Sequence, residues 1–198
     1  MPENEEILFN KKGIIFIDGN YINIRIKKYV EKYSQNSNKV KVDYAKIIKQ
    51  ISLMVGKTEV LRTYYYNAPP FDDKTNKYEE LKSGFDKFIN KLEKIPFFET
   101  KMGRTQKLTD KVGNPVFTQK GVDVNLAIDL VKWSYQQNIN SLIIISGDSD
   151  FVPAITLAKD MGKLVYLFTS DDTSYTDNLI NISDKHFMID DEFLSKCI

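Results

Sequence analysis

Short apolar runs alternate with amphipathic stretches along most of this chain. The run at 13–18, GIIFID, is β-branched and aromatic and ends in a turn, the pattern of a strand buried on both faces. Residues 21–33 and 43–55 carry apolar side chains at helical spacing. In the second of these, Ile47, Ile48, Ile51 and Val55 share one face and Gly56 marks the stop. EVLRTYYYN at 59–67 predicts a second strand, closed by Pro69 and Pro70. A helix over 78–94 follows, with Leu81, Phe85, Phe88, Ile89 and Leu92 as its stripe, and then a strand over 96–102. The second half repeats the alternation. A helix over 122–135, with Val124, Ile128 and Val131 turned inward, leads into the strand SLIIIS at 141–146. A helix over 153–161 stopped by Gly162, a strand over 163–168, a helix near 177–182 and a strand near 187–189 complete the pattern.

Strands alternating with helices define the α/β class, here a three-layer α/β/α sandwich on a mainly parallel sheet. Sites in such sheets form beyond the C-terminal ends of the strands. One domain over 13–190 is expected, with tails at 1–12 and 191–198. The least regular stretch, 103–121, predicts a long loop or hairpin with its turn at Gly113-Asn114-Pro115.

Composition narrows the classes. In 198 residues, 28 basic and 27 acidic side chains leave a net charge of +1, so any nucleic-acid surface must be local. The most basic stretch is 101–120, where Lys101, Arg104, Lys107, Lys111 and Lys120 oppose Asp110. The lone Cys197 excludes an internal disulfide and a thiolate zinc site, and its terminal place predicts a surface thiol. The lone His186, read as surface or structural, leaves no room for a multi-histidine centre. The acidic, polar start resembles neither a secretory signal nor a transit peptide, and no apolar run approaches the roughly 20 residues of a membrane span. The expectation is a soluble, cytoplasmic protein.

Candidate chemistry lies in carboxylates. FIDGN carries Asp18 and Asn20, KGVDVNLAIDL carries Asp123 and Asp129, and SGDSDF carries Asp148 and Asp150. Asp18 and Asp148 each follow a predicted strand, and Asp123 opens a predicted helix, so all three are expected on one rim. Hard oxygen ligands of this kind suit Mg²⁺ or Mn²⁺ in a site that retains several waters. Each residue also has a plainer role open to it. Asp150 can cap the helix that follows, Asp123 can serve a helix dipole, and Asn20 can be a turn or cap residue. Asp129, six positions after Asp123, is expected round the helix as a supporting or salt-bridging residue. Asp171 and Asp172 read as a solvated loop. A haloacid-dehalogenase phosphatase needs Asp-x-Asp after its first strand, and Asp18-Gly19-Asn20 lacks the second acid. Gly13 and Gly19 do not make a dinucleotide-binding turn.

FIDGN, KGVDVNLAIDLV and SGDSDFVPAI, followed by Gly162-Lys163-Leu164-Val165, resemble the NYN domain, the LabA-like branch of the PIN-like nuclease superfamily, over about 13–190. The resemblance implies a PIN-like fold and metal-dependent phosphodiester hydrolysis, usually of RNA. It makes Asp18, Asp123 and Asp148 the inner Mg²⁺ or Mn²⁺ ligands, Asp150 an additional carboxylate and Asn20 a positioning residue. For the further acid that many PIN-like nucleases carry in an early helix, Glu31 and Asp43 are both open. Single-stranded RNA is the expected partner, and a homodimer is open to the fold. Lys120, Arg104 and Lys107 are the candidate phosphate contacts. Arg62, Tyr64 and Tyr66, alternating along one strand, are candidates for a base-stacking face. A non-catalytic RNA- or protein-binding module on the same fold is the competing function.

Overall fold

The computed structural model describes residues 11–34 and 40–198; residues 1–10 of the expected N-terminal tail lie outside them. The elements in chain order are β1 (Lys12–Asp18), α1 (Gly19–Tyr33), α2 (Tyr44–Met54), β2 (Glu59–Asn67), α3 (Asn76–Leu92), β3 (Phe98–Met102), β4 (Arg104–Thr109) and β5 (Pro115–Lys120). They continue with α4 (Val122–Ser134), β6 (Ser141–Ile145), α5 (Val152–Asp160), β7 (Leu164–Thr169), α6 (Asp177–Ile182), β8 (Lys185–Met188) and α7 (Asp191–Ser195).

Six strands form one parallel sheet in the order β3-β2-β1-β6-β7-β8. The chain starts at the centre, winds outward to β3, then returns to lay β6 against the other side of β1. The strand order therefore reverses between β1 and β6, where crevices of open α/β sheets form. The predicted irregular stretch is the separate β4–β5 hairpin.

Both sheet faces are covered, so alternate residues of each strand enter different cores. Ile15, Ile17, Tyr65, Ile143 and Ile145 pack with α1, α2, α3 and α7. Ile14, Phe16, Tyr64, Tyr66, Leu142 and Ile144 pack with α4, α5 and α6. Strand alternation here separates one core from another, not core from solvent. This corrects the stacking face predicted on β2: Tyr64 is 4% exposed and Tyr66 fully buried. Arg62, from the same prediction, is ion-paired with Glu99 on β3.

Two further expectations are corrected. Of the predicted inward stripe of α4, Val124 and Ile128 are exposed and only Val131 packs, partly buried, on the second core, while Val122, Leu126, Asp129 and Leu130 are buried. Residues 191–198 are not a tail: α7, capped by Asp190, buries Phe193 and Leu194 in the first core, and Cys197 just after it joins them. Burial pushes the Cys197 thiol up to about 11. A thiol both inaccessible and protonated reacts slowly. Ellman's reagent is therefore expected to miss Cys197 in the native protein and to titrate it fully in denaturant.

Candidate metal and nucleic-acid site

The site grows from the ends of the two central strands. Asp18 ends β1 and also caps α1, its Oδ1 accepting from the Tyr21 N–H at 3.1 Å. After β6, Ser146 donates its hydroxyl to Asp18 Oδ2 at 3.2 Å and accepts the Asp148 N–H at 3.2 Å. One serine thus ties the two strand-end aspartates together. Asp148 Oδ1 accepts the Asp150 N–H at 2.9 Å and caps the short 3-10 turn Ser149–Phe151. Asp150 does not cap α5 as predicted: it lies inside this extra turn, and α5 starts after Phe151 with no side-chain cap. Gly147 allows the close crossing: a Cβ there would lie 2.1 Å from the Ser174 carbonyl oxygen and 2.5 Å from the Tyr21 ring.

Asp123 arrives from the opposite wall, in the first turn of α4. That helix starts at Gly121, whose φ of 80° is left-handed, and has no side-chain cap. Asp18, Asp123 and Asp148 line one open cleft of about 640 Å³, together with Asn20 and residues of the β4–β5 hairpin. A second hollow of about 350 Å³ lies on the far side of Asp18 and Asp148, against Tyr21 and Tyr175. Asp150 is exposed and lines neither.

The electrostatics follow from the crowding. Burial raises the Asp18 carboxyl to about 6, and Asp123 adds to the rise. Asp123 is raised by burial, then by Asp148 and Asp150. Among the described residues, no lysine or arginine forms an ion pair with these four aspartates. Nor do any three His, Cys, Asp or Glu side chains among them converge as a ready-made metal cage. Negative oxygens without a cation repel one another. Mg²⁺ is usually held by only one or two carboxylates plus waters and substrate phosphates. An open set of carboxylate oxygens fits that habit, and its hard donors fit Mn²⁺ equally.

The other expected residues separate. Asp129 is buried and accepts from the Tyr66 hydroxyl at 2.6 Å and from Lys101 at 2.5 Å. Arg104, Lys107 and Lys120 are exposed on the hairpin, Arg104 directly opposite Lys120 and Lys107 opposite Phe117. Glu31 pairs with Lys27 and Asp43 caps α2, so neither lines the cleft. His186 meets the Thr169 hydroxyl at 2.7 Å. Asp171 and Asp172 are not merely solvated: with Asp191 they surround the buried Arg25 guanidinium.

Sequence reasoning missed the polar scaffold under the rim. The Tyr65 hydroxyl accepts amide hydrogens from Asn23 and Asn67, and Gln119 of the hairpin donates to Asn67 Oδ1 at 2.8 Å. Asn67, at the end of β2, was the available signal, since it is the first polar residue after three tyrosines.

An acidic cleft at the switch point of a doubly covered parallel sheet defines a PIN-like α/β protein. Within that class the chain belongs to the NYN domain family, whose match spans residues 12–191. That family consists generally of nucleases. An uncharacterised protein of Methanocaldococcus jannaschii is 33% identical over 93 residues, which is 45% of this chain and 38% of that protein. The matched segment is thus under half of that relative's length. The crystal structure of a Vibrio parahaemolyticus protein of unknown function is similar with a TM-score of 0.57 and 19% identity, covering 98% of this chain and 99% of that one. At that identity the likeness is one of fold.

Proposed function

We propose that the chain is a divalent-metal-dependent ribonuclease of the LabA-like branch, hydrolysing phosphodiester bonds of single-stranded RNA in the cleft between β1, β6 and α4. The observation that carries this reading is the gathering of Asp18, Asp123 and Asp148 round one open cleft without an ion-paired base. These three would hold Mg²⁺ or Mn²⁺, which when bound polarises the scissile phosphate and activates water. Asp18 and Asp148 are pre-positioned through Ser146, so little ordering is left to binding. Asn20, exposed at the cleft wall, orients a ligand carboxylate or a water. Asp150 adds negative charge from behind.

Lys107, on the hairpin face of Thr105, Phe117 and Gln119, would hold the phosphate backbone beside the cleft, with Arg104 and Lys120 paired on the other face as outlying contacts. Each neutralised phosphate steepens the salt dependence by about one unit of log-log slope. Lys107→Ala is therefore expected to weaken binding to all RNA sequences alike and to lower that slope by about one in a salt titration.

The reading is tested by incubating the purified chain with labelled unstructured RNA in Mg²⁺, in Mn²⁺ and in EDTA. Metal-dependent cleavage supports it; its absence with folded protein on every RNA tried overturns it. One observation favours a second reading, a non-catalytic RNA- or protein-binding module: neither Glu31 nor Asp43 supplies the cleft with a further carboxylate. Binding without turnover is the result that module predicts.

A further inference from the structure

One wall of the acidic cleft is aromatic. Phe117 on β5 is 54% exposed, and its ring meets that of Phe71 at 5.4 Å between centroids with planes 43° apart. With Tyr78 and Leu81 the pair encloses a hollow of about 310 Å³, at the small end of ligand pockets. This hollow shares Pro70, Thr105 and Phe117 with the cleft that holds Asp18, Asp123 and Asp148. The hairpin wall is anchored: Thr105 Oγ1 donates to the Pro69 carbonyl at 2.5 Å, and Gln119 holds Asn67 at 2.8 Å. Lys107 stands directly opposite Phe117 in the β4–β5 register, which puts the cation and the ring on the same face. Asp73 also lines the hollow, and its carboxylate accepts from the Thr75 hydroxyl at 2.6 Å.

We propose that this hollow is a nucleobase subsite, in which an unpaired base of single-stranded RNA stacks on Phe117 and Phe71 while Lys107 holds an adjacent phosphate. The occupant is chosen by chemistry on the wall itself. A flat apolar surface beside a cation, continuous with a phosphate-hydrolysing cleft, matches a strand that carries one base per charge. A duplex hides its base faces in stacking, so it leaves the rings uncovered. The inference rests on the nuclease reading for the identity of the strand. It goes beyond that reading by assigning a site for the base and a structural reason why the strand must be unpaired.

Fluorescence anisotropy in EDTA tests it, using the full chain, a labelled oligoadenylate, the same strand with one abasic nucleotide placed at each position in turn, and the paired duplex. One abasic position is expected to weaken wild-type binding about tenfold, the scale of one base–aromatic stack. Phe117→Ala is expected to lose about the same and to become indifferent to the abasic position, whereas Phe117→Trp keeps both properties. Equal binding of the intact strand by wild type and a folded Phe117→Ala overturns the proposal, and leaves the hollow to an apolar side chain of a protein partner. Equal binding of duplex and single strand overturns it too. The two readings fail separately. Base-dependent binding without any metal-dependent cleavage defeats the nuclease reading alone, and cleavage that is insensitive to Phe117 defeats the subsite alone.

Discussion

Asp18→Asn is expected to lower metal-dependent RNA cleavage by more than about a hundredfold while leaving the fold and RNA binding intact. Loss of even an outer partner of a metal ligand typically costs tenfold to a hundredfold, and Asp18 is proposed above as a ligand itself. The substitution is nearly isosteric, and its remaining oxygen still accepts from the Tyr21 N–H that opens α1. Stability should respond in the opposite direction. Burial and Asp123 raise the Asp18 carboxyl from 3.8 to about 6, so the native state binds the proton more tightly than the unfolded chain. Between those two values the unfolded chain carries fewer protons, and wild-type stability falls as pH rises through the window. The asparagine variant lacks that loss. In EDTA its melting temperature should match or exceed that of wild type above about pH 6, the advantage fading toward pH 4. Melting curves across pH and a gel assay in Mg²⁺ check both halves. A variant that cleaves like wild type would remove Asp18 from the chemistry.

The second large effect lies away from the cleft. Lys101→Met is expected to destabilise the protein by about 3 kcal/mol, because it strips the cation from a buried carboxylate. The Asp129 side chain is 7% exposed and, among the described residues, keeps only the Tyr66 hydroxyl once Lys101 is gone. Lys101 is itself partly in water, which places the loss at the low end of the usual range for broken buried pairs. For a chain of this size the melting temperature should drop by roughly 6–12 °C. Adding Asp129→Asn should recover much of the loss, since the charge left behind causes the penalty. If the double variant is no more stable than Lys101→Met alone, the buried charge is not the cause.

The central architecture and the shared rim of Asp18, Asp123 and Asp148 were legible in the sequence. GIIFID and SLIIIS are apolar on every face because both β1 and β6 are sandwiched between helices, and such runs announce parallel strands. A polar residue just past each run must fall at the strand end, so Asp18 and Asp148 share a rim. Asp123 followed from its place in the first turn of α4. The same double coverage defeated the reading of β2. Tyr64 and Tyr66 alternate with Tyr65, yet all three are buried, in two different cores. On α4 the apolar residues nearly encircle the helix, so spacing offered two faces and packing took the one with Leu126 and Leu130. Asp129 enters the buried face only because Tyr66 and Lys101, far away in the chain, supply its partners.

Phe117 shows the limit from the other side. An aromatic residue in a basic hairpin was visible in the sequence, but its meaning depends on Phe71 meeting it across 45 intervening positions. The chain alone determined which segments become strands and helices, and that its acids cluster at strand ends, since those outcomes follow from local apolar pattern. Which helix face turned inward, which tyrosines were covered, and where cation and ring came to flank the acids were decided only in three dimensions. Burying a polar group, or exposing an apolar one, depends on partners that local spacing does not specify.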